Sequence, residues 1–199
     1  MLFFLVGLVH AVYASAPQKK ILCYGDSLTA GYGLPYDQSF PSQLEKKLRA
    51  MGYDITVINA GVSGETTTGG LARLDWTLRQ KPDFVILELG ANDMLRDIPP
   101  TLTRENLDKM LAILQEKKIP VLLAGMKATT GLGKKYDTAF DAIYPALAKK
   151  YHTVYYPFFL QGVWDKTSLR LPGNIHPNAK GVGVIVDGIL PDVKKLLTQ

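Results

Sequence analysis

Four residues from separate parts of the chain, Ser27, Gly61, Asn92 and His176, have groups suited to one reaction. A serine that cleaves an acyl bond needs a base to take its proton and a group to orient that base. It also needs hydrogen-bond donors aimed at the oxygen that becomes negative during attack. Ser27 stands in Gly25-Asp26-Ser27-Leu28, directly after the apolar run Ile21-Leu22-Cys23-Tyr24, where a buried strand should turn into a loop or helix. His176, in Leu171-Pro172-Gly173-Asn174-Ile175-His176-Pro177, is the candidate base, because His10 lies in an N-terminal leader and His152 precedes a predicted strand. Gly61, in Asn59-Ala60-Gly61, can offer an unobstructed backbone N–H. The neutral amide of Asn92, in Gly90-Ala91-Asn92-Asp93, can donate through its side-chain nitrogen. Taken singly, each has a plainer use: Ser27 as a helix cap, Gly61 and Asn92 as turn residues, His176 as a structural histidine. Ser63 is a rival nucleophile, but it lies deeper in a Gly/Thr-rich loop and lacks the Gly-x-Ser-x-Gly pattern. Asp93 reads as a turn-forming residue.

The elements that must carry these residues alternate. Ile21–Tyr24, Ile55–Asn59, Phe84–Leu89, Val121–Gly125 and Val154–Tyr156 read as strands, and their apolar character predicts a sheet covered on both faces. Between them, Ser39–Met51, Thr68–Gln80, Arg104–Lys118 and Tyr136–Lys150 carry apolar residues at helical spacing, with Leu107, Met110, Leu111 and Leu114 as one clear stripe. Asn178–Leu197 reads as one or two helices interrupted at Pro191. This order predicts an α/β fold around a parallel sheet, in which working groups collect outside the carboxyl ends of the strands. Ser27, Gly61 and Asn92 all follow such ends.

A chain of 199 residues, 47% hydrophobic and 21% charged, fits one globular domain. Residues 1–16 stand apart: Leu2–Val9 is apolar, and Ala14, Ser15 and Ala16 are small, as in a secretory leader and its cleavage zone. Cleavage after Ala14 is preferred over cleavage after Ala16, which would place Pro17 beside the scissile bond. Residues 17–199 then form the domain, periplasmic or secreted, with no stable membrane insertion once the leader is gone. Cys23 is the sole cysteine, which excludes an internal disulfide and any cysteine-rich metal site, and no second His or Cys is spaced as a co-ligand for His176. The net charge of +5 is spread over helical stretches such as Glu45-Lys46-Lys47 and Glu116-Lys117-Lys118. No basic stripe with interleaved aromatics appears, so a nucleic-acid partner is not expected.

Together and in this order, Gly25-Asp26-Ser27-Leu28, Gly61, Gly90-Ala91-Asn92-Asp93 and His176-Pro177 resemble the four blocks of the SGNH (GDSL) hydrolase family over about residues 19–198. The stretches Ser27–Gly33, Ser63–Thr67 and Ala142–Pro145 are most similar to its bacterial arylesterase, acyl-thioesterase and lysophospholipase branch. The resemblance implies a flavodoxin-like three-layer sandwich with a five-stranded parallel sheet. It also implies Ser27 as nucleophile, His176 as base, and an oxyanion hole from the Ser27 and Gly61 N–H groups and the Asn92 side chain. It implies a small-molecule ester or acyl substrate and neither metal nor organic cofactor. The loop after Gly61, with Gly64, Gly69 and Gly70, is either a mobile cover or a rigid turn.

One position departs from the family pattern. Three residues before the histidine, where the family carries an aspartate, this chain has Gly173. In a serine protease the equivalent acid fixes the imidazole tautomer and is worth about ten-thousandfold in turnover. Asn174, a backbone carbonyl near Leu171–Gly173, or Asp165 could orient His176 instead. A further reading is a degenerate hydrolase that binds an acyl or lipid ligand with little turnover. A carbohydrate O-acetyl esterase would share the chemistry but lacks an obvious aromatic-rich sugar platform.

Overall fold

The computed structural model describes residues 18–129, 131–173 and 175–199, so the predicted leader over residues 1–16 and Asn174 lie outside the described residues. Five strands, β1 (Lys19–Gly25), β2 (Ile55–Gly61), β3 (Phe84–Glu88), β4 (Val121–Ala124) and β5 (Val154–Tyr156), form one sheet in the order β2-β1-β3-β4-β5. Every neighbouring pair is parallel. Ile21, Leu22, Val85, Leu87, Leu122 and Leu123 are all fully buried, as strands covered on both faces require.

Two helices cover one face: α2 (Phe40–Ala50) packs on α8 (Ala179–Leu196), and α8 also meets β4 and β5. On the other face α3 (Thr67–Thr77) packs on α5 (Pro100–Glu116), which in turn meets α7 (Ile143–Tyr151). This is the flavodoxin-like α/β sandwich. The short helices α1 (Ser27–Ala30), α4 (Ala91–Leu95) and α6 (Lys134–Asp141) complete the set.

Prolines figure in the three main departures from the predicted helices. The α5 helix begins at Pro100 rather than Arg104, since proline is preset for a first turn whose N–H would be unpaired anyway. The segment 136–150 divides at Ala142, because Pro145 has no N–H for the Asp141 carbonyl. In contrast, α8 runs unbroken through Pro191. Pro191 and Asp187, whose carbonyl loses its partner, are both exposed, so water takes the freed acceptor.

The topology places the site. The chain goes from β1 outward to β2 and back across β1 to β3, so the switch point lies between β1 and β3, beyond their carboxyl ends. Gly25 pairs with both Gly61 and Glu88 in register. The segments bearing Ser27, Gly61 and Asn92 therefore leave the sheet at one level.

Candidate active site

Ser27 is the first residue of α1. Asp26 caps that helix, accepting the Leu28 N–H at 2.9 Å. The cap leaves the Ser27 N–H at an open first turn, where backbone donors of a helix have no internal partner. The Ser27 side chain faces His176, with Oγ 2.8 Å from Nε2. This distance suits proton transfer between a nucleophile and its base. Burial holds the half-buried imidazole below its ordinary 6.5, which keeps it unprotonated and able to accept.

Asn92 lies in the first turn of α4, across the switch point. Its Nδ2 donates to Asp26 Oδ2 at 3.0 Å. A primary amide carries two N–H bonds, so one remains for an oxygen on the substrate side. Gly61 behaves differently from expectation: its N–H donates to Asn59 Oδ1 at 3.1 Å and is not freely offered. Asn59 Nδ2 in turn donates to Ala30 O at 3.2 Å. What requires glycine here is close approach, since a Cβ on residue 61 would lie 2.3 Å from Ala30 N and 2.8 Å from Asp26 O. Gly61 thus lets β2 pack against the nucleophile turn.

His176 rides on a loop held by backbone pairing. Leu171 N–H donates to His176 O at 2.9 Å, and Asn178 N–H donates to Leu169 O at 2.9 Å. The Asn178 side chain then caps α8 through the Gly181 N–H at 3.0 Å. The Tyr32 ring lies against the imidazole, centroids 4.6 Å apart and tilted by 36°. Gly173 adopts φ +64°, a left-handed conformation that favours glycine, with open space where a Cβ would point. Asp165 is exposed on the surface, and Asn174 lies outside the described residues.

The stretch after Gly61, open on sequence to either a mobile cover or a rigid turn, is largely built into other structure. Gly69 and Gly70 belong to α3, and only Val62–Thr66 forms a turn. Arg96 donates to Gly64 O at 2.7 Å, and the Glu65 side chain pairs with Arg73. Asp93 accepts from the Thr67 N–H and from the Thr67 and Thr103 hydroxyls, tying α4 to α3 and α5. Ser63 lines the adjoining cavity, while the base faces Ser27.

That cavity, about 170 Å³, opens beside Ser27 and His176 between Leu28, Met94, Met126, Phe158, Leu160 and Trp164. Its walls suit an apolar group, and a cavity of about 150 Å³ lined by such residues accepts benzene. Met94 also joins its two sides: its sulfur accepts the Thr129 N–H at 3.2 Å.

Sequence reasoning missed two residues. Asp26 has no role of its own on sequence in the Gly25-Asp26-Ser27-Leu28 block, yet it is fully buried and orients Asn92. Glu88 is fully buried at the end of β3. Its signal was a carboxylate inside the most continuous apolar run among the predicted strands.

The model of the GDSL-like lipase/acylhydrolase family matches residues 23–184. An arylesterase from Vibrio mimicus is 39% identical over 185 residues, covering 92% of this chain and 92% of its own. The Escherichia coli K12 protein named thioesterase 1/protease 1/lysophospholipase L1 is 34% identical over 193 residues, covering 96% and 91%. Among solved structures, AlinE4, described as an SGNH-hydrolase family esterase, superposes with TM-score 0.78 at 45% identity, covering 92% of this chain and 99% of that one. With its four blocks gathered beyond the carboxyl ends of the strands and matches that span nearly its whole length, this chain belongs to the GDSL-like lipase/acylhydrolase family.

Proposed function

We propose that the protein is a serine hydrolase of carboxylic esters, acting on aryl or short-to-medium acyl esters through an acyl-enzyme. Thioesters and lysophospholipids, named for its relative, are the wider substrate range. The observation that carries this reading is the 2.8 Å contact between His176 Nε2 and Ser27 Oγ at the rim of an apolar cavity. Ser27 Oγ attacks the ester carbonyl as His176 takes its proton, and the carbonyl oxygen becomes an oxyanion facing the Ser27 N–H and the second Asn92 N–H. Gly61 joins them only if its N–H turns from Asn59. Collapse of the tetrahedral intermediate expels the alcohol, which receives the proton from His176. Water then attacks the acyl-enzyme with His176 again as base, releasing the acid and restoring Ser27.

The test is a chain-length series of nitrophenyl esters with fluorophosphonate labelling. Turnover should peak at short-to-medium chains, and Ser27→Ala should abolish labelling and lower kcat by about 10⁴- to 10⁶-fold. A Ser27→Ala variant with full activity would sink the mechanism. Gly173 favours the second reading, a binder with little turnover, which would give no burst of nitrophenol and no label. Export is part of the proposal, supported by the apolar Leu2–Val9 and the small residues that follow. Mass spectrometry of the periplasmic or secreted fraction should find a mature chain beginning at Ser15, and an intact Met1 there would contradict it.

A further inference from the structure

Glu88 is fully buried beside the nucleophile turn, and the hydrolytic reaction makes no direct use of it. It pairs in register with Gly25, one residue before Asp26. Its Oε2 accepts the Thr29 hydroxyl at 2.7 Å and lies 3.4 Å from the Asp26 N–H. Thr29 and Asp26 flank Ser27 and Leu28, so one carboxyl group grips the nucleophile turn on both sides. A Cβ at residue 25 would sit 2.6 Å from Glu88 Oε2 and 2.1 Å from Thr29 Oγ1, so the glycine of the motif makes room for this grip. Asp26 extends it to Asn92.

The second oxygen, Oε1, is buried without a hydrogen-bond partner among the described residues. A buried carboxylate left so poorly paired is costly, and such a group keeps its proton instead. The groups facing it supply no positive charge: Cys23 on β1, Asp26 and Tyr144 on α7 interact with it electrostatically, and none is a cation. Arg73, which reaches this strand end through the Gly25 and Ala60 carbonyls, is committed to Glu65. Burial holds Glu88 well above the usual carboxylate range, with Asp26 adding to the effect. Asp26, pushed up to about 7 by the same burial, accepts two hydrogen bonds that favour its charged form. The proton of the pair therefore belongs on Glu88.

We propose that Glu88 is a positioning residue for ester hydrolysis: its neutral carboxyl group clamps the nucleophile turn through Thr29 and Asp26 and, through Asp26, keeps Asn92 aimed at the oxyanion. The proposal rests on the esterase reading above. A neutral clamp can be imitated by glutamine but not by leucine. Glu88→Gln should keep kcat within about threefold of the wild type. Glu88→Leu should lose about 100-fold in kcat, with KM changed by less than about threefold, since misplacing reacting groups by an ångström has that effect. If Glu88→Leu does not fold, Thr29→Val serves instead, removing the gripped hydroxyl at nearly constant volume, and should lower kcat in the same sense.

Stability supplies a readout independent of turnover. A carboxyl group whose folded pKa lies above its ordinary 4.5 favours folding fully below that value and loses the benefit as pH rises toward the folded pKa. Glutamine does not titrate. The Tm of Glu88→Gln should therefore exceed that of the wild type at about pH 8, and the gap should close toward about pH 4. The clamp is overturned if Glu88→Leu, or Thr29→Val in its place, turns over like the wild type. Its neutrality is overturned if Glu88→Gln falls as far as leucine, or if the Tm gap does not change with pH. Wild-type protein without ester turnover would refute the esterase reading, and the Tm comparison would still judge the neutral carboxyl.

Discussion

The two halves of the site are built by different means. The nucleophile half, from Gly25 to Ala30 with Asn92 opposite, is fixed by buried side chains: Asp26, Thr29 and Glu88 are each at most 1% exposed and bonded to one another or to the turn. The histidine half, from Leu169 to Asn178, is a loop fixed by backbone pairing and by the Asn178 side chain, and it includes a glycine at positive φ with open space beside it. Buried polar contacts in a packed interior leave few alternative geometries, whereas a surface loop held by a few backbone bonds has more. Changes in the first half should break the enzyme, while changes in the second should tune it, upward as well as downward.

The largest effect beyond loss of the nucleophile should come from Asn92. Asn92→Ala removes one oxyanion donor and frees Asp26 Oδ2, so kcat should fall by about 10²- to 10³-fold with KM nearly unchanged. A loss of less than about tenfold would mean that the Ser27 N–H and Gly61 carry the oxyanion without it. Steady-state kinetics on a short nitrophenyl ester decides this. Gly61→Ala should follow. Its new methyl group meets the backbone of Ala30 and Asp26, which cannot rotate away, so β2 or α1 must shift. Overpacking of this kind costs about 1–3 kcal/mol of stability, and the displaced turn should lower kcat as well. Denaturant unfolding and kinetics measured together would check both.

The same contrast explains what could be read in advance. Strand order along the chain and the positions of Ser27, Gly61 and Asn92 were legible, because buried strands write themselves as apolar runs and their carboxyl ends are where parallel sheets place chemistry, and His176 was legible as the histidine outside both the leader and the start of a strand. The roles of Asp26 and Glu88 were not, since a buried acid is recognised by what surrounds it, and its neighbours come from β1, β3 and α1. The Asn59–Gly61 bond was hidden for a related reason: periodicity assigns a residue to a strand but not the direction of its N–H. Pro191 misled in part, because a proline signals a break only where its helix cannot give the freed carbonyl to water.

Gly173 gives the smallest predicted change and the one of opposite sign. Catalysis needs His176 neutral, and burial already holds its pKa below 6.5, so the acid limb of the rate profile should have its midpoint below that value. Residue 173 has the room for a side chain, and aspartate tolerates a left-handed φ better than most residues. A carboxylate placed beside the imidazolium that forms during attack would stabilise it, as the acid of a serine protease does. Gly173→Asp, combined with Asn174→Gly if the turn requires it, should therefore raise kcat by about tenfold, a fraction of the protease effect. The same charge favours the protonated ring, so the acid limb should move to higher pH. A gain in kcat with a shifted limb would show that the histidine half was the weaker one. Unchanged turnover and profile would mean that the loop already orients its base as well as an acid could, and the contrast between the two halves would then lie in construction alone.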